Sequence, residues 1–142
     1  MSYRNPTDMK HKLPICCALV MMGFAASAAG PMAPAAKVTS LLTKPLGGIE
    51  GQEATMITVD IPPGTASPPH RHNANTFVYV LEGSVVMQVR GGKEQTLIAG
   101  QTFYESPTDV HTVSRNPSET EPAKLLVVLV KPVGTPITVP AR

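Results

Sequence analysis

Apolar and polar residues alternate with a period of two along most of this chain. Met56-Ile57-Thr58-Val59-Asp60-Ile61 alternates and ends at Pro62-Pro63-Gly64, which reads as a strand closed by a turn. Residues 70–81 read as one long strand, interrupted by the polar Asn73-Ala74-Asn75. Glu82-Gly83 then makes a tight turn. Residues 84–90 alternate again, with Val85, Met87 and Val89 on one face, and Gly91-Gly92 predicts a hairpin. Short strands are expected at 95–98, 102–105 and 111–115. Residues 125–130 form a continuous apolar run, which predicts a buried strand. No segment sustains a helical period. The pattern predicts an all-β fold of seven or eight short antiparallel strands: a small β-barrel or a double-sheet jelly roll.

The first 28 residues break this pattern. Lys10, His11 and Lys12 form a basic start, an apolar stretch follows to Ala26, and Ala26-Ser27-Ala28 supplies small residues suited to cleavage. This layout predicts a signal peptide over residues 1–28 and a periplasmic or secreted mature protein. The apolar run is shorter than the ~20 residues that span a bilayer, so no membrane association is expected after cleavage. Residues 29–44, rich in alanine and proline, read as a flexible linker. The domain is expected over 45–132, and the prolines at 132, 136 and 140 mark a C-terminal extension over 133–142.

Composition narrows the function classes. Both cysteines, Cys16 and Cys17, lie in the leader, so the mature chain has no disulfide or thiol chemistry. The formal charge of +2 also comes from the leader, because residues 29–142 carry nine basic and nine acidic side chains. With no basic patch, nucleic acid binding is not expected. Tryptophan is absent, so the core must be aliphatic.

Candidate chemistry lies in three of the four histidines. His70 and His72 are two apart, so a strand would direct both rings to one face, where a distant third imidazole, His111, could join them around a divalent ion. The frame around them resembles the cupin family. Five residues separate Gly64 from His70, and six separate Thr76 from Gly83, as in the first cupin motif. Residues 100–116 resemble the second motif, with His111 in the place of the third histidine. The resemblance covers roughly residues 45–132. It implies a jelly roll, a divalent metal (Fe, Mn, Zn or Ni) on His70, His72 and His111, and a small-molecule substrate or ligand. Homodimers are frequent among small cupins, and residues 125–130 could lie near such an interface; burial within the monomer explains that run as well.

The sequence departs from the motif in three places. Thr76 stands where cupins carry a ligand glutamate; Ser106 and Thr108 replace a proline and a glycine; Arg115 takes an asparagine place, with Asn116 next to it. Glu105 shares strand parity with Phe103. If Phe103 faces the core, Glu105 does too, and a buried carboxylate there suits a ligand or catalytic base beside the metal. Gln88 is a weaker candidate, of opposite parity to Met87. Tyr79 and Tyr104 are expected to line the barrel as packing residues, and nothing places Glu50 or Glu53 near the metal. Two function classes fit: a metal-dependent enzyme, dioxygenase-like or an isomerase, and a non-enzymatic module that binds a small ligand or a metal.

Overall fold

The strand pattern folds as two facing antiparallel sheets, as the computed structural model describes for residues 35–141. The expected leader, with its cysteine pair, lies outside the described residues. Ten strands follow in chain order: β1 (Lys37–Pro45), β2 (Gln52–Ile61), β3 (His70–Arg71), β4 (Asn75–Glu82), β5 (Ser84–Val89), β6 (Gln95–Ile98), β7 (Thr102–Glu105), β8 (His111–Arg115), β9 (Ala123–Pro132) and β10 (Val139–Pro140). One sheet runs β1-β2-β9-β4-β7 and the other β10-β3-β8-β5-β6. The sheets are not closed into a barrel; the arrangement is a double-sheet jelly roll. Among the described residues there is no helix.

Three stretches differ from the sequence expectation. Residues 37–44, expected within a linker, form β1 together with Pro45 and pair with β2 from Lys37 opposite Asp60 to Pro45 opposite Glu53. All nine side chains of β1 are exposed, so the strand is held by backbone pairing and leaves little hydrophobic signature. The C-terminal extension also pairs, with Val139 opposite Arg71 and Pro140 opposite His70. The long motif strand is broken after Arg71 by a turn in which Asn73 takes a positive φ of 49°, a conformation asparagine tolerates better than most residues. At Gly83 the turn needs glycine itself: φ is 69° and a Cβ would collide with the Pro122 carbonyl oxygen.

Register determines what lies between the sheets. Across the first sheet, Thr55, Leu129, Thr76 and Glu105 form one inward row, since Thr55 pairs with Leu129, Leu129 with Thr76 and Thr76 with Glu105. One step away, Ile57, Val127, Val78 and Phe103 form an apolar row, and Val59, Leu125 and Val80 the next. The inner face is therefore graded from polar to apolar. On β9 the odd residues are buried and the even ones half-buried, so the apolar run 125–130 covers the core on one side and the outer face on the other.

A buried asparagine ties the loops at the far end of β2. Asn116 is 3% exposed; its Nδ2 donates to the carbonyls of Ile61, Pro62 and Glu121, and its Oδ1 accepts from the Ser118 amide. Asn116 thus joins β2 to the loop after β8, one residue beyond the position at which the motif resemblance places an asparagine.

Candidate metal centre

Three different local structures aim the histidines inward. His70 lies on β3, directly opposite His111 on β8. His72 follows β3 at the start of the Asn73 turn. His111 owes its orientation to an irregularity in the pairing of β5 with β8, where Met87 faces Ser114 but Val89 faces His111. One extra residue on β8 brings Ser114 and His111, three apart, to the same cavity. Re-aiming a side chain in this way is a common role of a β-bulge.

The nitrogens of the three histidines lie within 4.8 Å of one another. The ring centroids of His70 and His72 are 5.0 Å apart, as are those of His70 and His111. Backbone carbonyls orient two of the rings. His70 Nδ1 donates to Pro68 O at 2.8 Å, and His72 Nδ1 donates to Ile137 O. Each bond places the proton on Nδ1 and leaves the Nε2 lone pair open, the arrangement in which metal-binding imidazoles are held. Burial lowers the pKa of His72, and burial followed by the neighbouring His70 and His72 lowers that of His111 to about 4, so both are neutral at pH 7.

Glu105 completes the cluster. It is 2% exposed, with Oε2 at 3.4 Å from His111 Nδ1 and Oε1 at 3.8 Å from His72 Nε2. Its parity with the buried Phe103 is as the sequence implied. Burial, then the charge of Asp109, raises its pKa to about 7. Thr76 lies opposite it in register and is fully buried. Thr76 Oγ1, Glu105 Oε2 and both ring nitrogens of His111 are buried without a hydrogen-bond partner. Unsatisfied polar atoms are expensive inside a protein, and four at one point describe a site built around something else. Neutral imidazoles beside a carboxylate suit a divalent cation in donor type and in charge.

The remaining candidates fall elsewhere. Gln88 Nε2 donates to Gly92 O in the β5–β6 turn. Tyr79 and Tyr104 do not line the interior: they are 43% and 49% exposed on the outer face of their sheet, because Thr76, Val78 and Val80 take the inward positions of β4. Glu53 is buried in an ion pair with Lys131, and its carboxylate also accepts from the Gly134 amide. Sequence reasoning missed the Ile137 carbonyl and the C-terminal segment that carries it. No local signal marks a backbone acceptor that lies 65 residues from its histidine.

The site opens into a cavity of about 720 Å³. Its walls include Ile57, Val59, Val127 and Leu125, with Ala35, Ala36 and Val38 from the segment around β1 and Ile137 and Pro140 from the segment around β10.

A facing pair of antiparallel sheets with a histidine cluster between them defines a double-stranded β-helix protein with a metal-type site. The chain belongs to the cupin family: the family's Cupin domain profile matches residues 57–129. Solved structures agree on the fold. A protein with a double-stranded β-helix domain from Klebsiella pneumoniae is similar over 79% of this chain and 89% of its own, at 19% identity and a TM-score of 0.60. The DMSP lyase DddQ from Ruegeria pomeroyi is similar over 62% of this chain, at 22% identity and a TM-score of 0.56, and this chain spans only 43% of the lyase. An oxalate oxidase in complex with glycolate is similar over 74% of this chain and 54% of its own, at 24% identity and a TM-score of 0.59. No curated protein matches the chain.

Proposed function

We propose that the chain is an exported, metal-dependent cupin that acts on a small molecule, with dioxygenase-type chemistry at a three-histidine site. The observation that carries this reading is the convergence of His70, His72 and His111 within 4.8 Å beside buried polar atoms that have no protein partner. The DMSP lyase and the oxalate oxidase show that the fold accommodates small-molecule chemistry. Under this reading the three Nε2 or Nδ1 lone pairs hold the ion, and the Pro68 and Ile137 carbonyls keep two of the rings in place. A bound divalent ion would polarise a coordinated substrate oxygen and acidify a coordinated water. Glu105 takes and returns a proton at Oε2, which is buried beside His111 and has no protein partner.

The test is direct. Freshly purified protein should carry close to one equivalent of Fe, Mn, Zn or Ni by elemental analysis, and should consume oxygen with a member of a panel of diketones, phenols and thiols. Protein without bound metal would overturn the reading. Bound metal with no oxygen uptake would favour the binding-module alternative, for which Thr76 in the glutamate place argues. Export belongs to the same proposal: the mature N-terminus should lie at or near Ala29, six residues before the cavity-lining Ala35. So does a homodimer. Phe77 and Tyr104 are half-exposed on the outer face, with ring centroids 5.3 Å apart and planes tilted by 47°, and Leu126 and Val128 line a shallow groove with them.

A further inference from the structure

The cavity is chemically one-sided. At one end stand the histidines, Thr76 and Glu105. From that end the walls retreat along β2 and β9 through Ile57 and Val127, then Val59 and Leu125. Rows two residues apart on a strand are spaced by roughly 6.7 Å, so about 13 Å of apolar wall separates the Thr76 row from the Val59 row. Val38, opposite Val59 in register, extends the apolar lining, and Ile137 and Pro140 add apolar surface beside His72 and His70. Among the lining residues there is no lysine or arginine, and Glu105 is the one carboxylate. The remaining polar side chains, such as Ser67 and Ser114, are neutral.

We infer that this cavity takes a predominantly apolar molecule, extended over roughly six to eight carbons, that presents a single oxygen-bearing, metal-chelating head to the histidine end. A small dianion fits poorly. One carboxylate could meet the ion, but the other would lie against aliphatic walls without a cation, at a desolvation cost no neighbour offsets. A molecule charged at both ends meets the same obstacle. An aliphatic leg, in contrast, removes its own surface and that of Val59 and Val38 from water. The head-group half of this inference rests on reading the histidines as a metal site; the apolar half rests on the walls alone.

The experiment uses the zinc-loaded mature protein and alkyl hydroxamates from acetohydroxamate to octanohydroxamate, with oxalate as the compact dianion, followed by calorimetry. Affinity should rise about threefold to fourfold with each added methylene over most of the series, and octanohydroxamate should bind well above oxalate. Val59→Thr, which keeps side-chain volume, should lower the ratio of octanohydroxamate to acetohydroxamate affinity several-fold. Affinity independent of chain length, or oxalate tighter than octanohydroxamate, overturns the inference and leaves the metal reading standing. Failure to load zinc overturns the metal reading instead. The apolar half is then decided on metal-free protein with 1-octanol, where methyl resonances of Val59, Leu125 and Val127 should shift; unchanged methyls overturn it.

Discussion

Glu105 and Thr76 face each other across a strand pair, both buried and both with an oxygen that no protein group satisfies. Their chemistry differs from the family pattern in a testable way. A carboxylate added at position 76 would enter the site beside Glu105, so Thr76→Glu should tighten metal binding and weaken binding of an inhibitory anion such as azide. Unchanged affinity for both would show that position 76 does not face the ion. Glu105→Gln retains size but cannot accept a proton; turnover should fall ~10²-fold or more with metal content largely kept. Alanine at His70, His72 or His111 should strip most of the metal, and the triple variant should hold none by elemental analysis. The histidines could be read from sequence because their spacing survives any detail of the turn between them, and Glu105 because parity with Phe103 decides its face. The same rule places Tyr79 and Tyr104 outside: residues 76, 78 and 80 face inward on β4 and 103 and 105 on β7, and neither tyrosine shares their parity. The orienting carbonyl of Ile137 and the anchoring role of Asn116 arise from loop geometry, which leaves no periodic trace.

At the scale of elements, the smallest strands position the site. β3 and β10 have two residues each, yet they pair with one another, and the Ala141 amide adds a bond to Pro69 O. The segment after β9 thereby carries the acceptor for His72 Nδ1. Ending the chain after Thr135 should leave both sheets folded, because β2, β9 and β4 are untouched, but should weaken metal binding by about 10–100-fold. Circular dichroism and a competitive chelator titration separate the two effects; equal metal affinity in the shortened chain would show that Ile137 does not orient His72. The sequence gives no hint of this segment's role, since three prolines mark it as irregular. The β8 bulge is equally silent in the sequence, because pattern reading assumes strict alternation.

The whole molecule balances opposing charges that a bound ion would reconcile. Without metal, Glu105 has a pKa near 7 against an ordinary 4.5, so between those values the folded protein binds more protons than the unfolded chain and stability falls as pH rises. His111, lowered from 6.5 to about 4, works the other way: the unfolded chain binds more protons there, and stability rises with pH across that window. At pH 8 the histidine effect is complete and the Glu105 cost remains. Metal-free Glu105→Gln protein should then be more stable than metal-free wild type in urea unfolding, by up to about 3 kcal/mol. The difference should shrink at pH 4.5, and metal should remove it by stabilising the wild type. A wild type equal to the variant at pH 8 would show that the buried carboxylate is not strained.

The hydrogen bond from His72 to Ile137 also sets an order of events. Synthesis delivers His70, His72 and His111 before Ile137, whose carbonyl orients His72 from 65 positions away. A chain not yet extended to residue 137 therefore holds His72 without its orienting carbonyl, until β10 zips onto β3. His72 is loose before that pairing and fixed after it. The histidine cradle is thus completed by a segment remote from it in sequence.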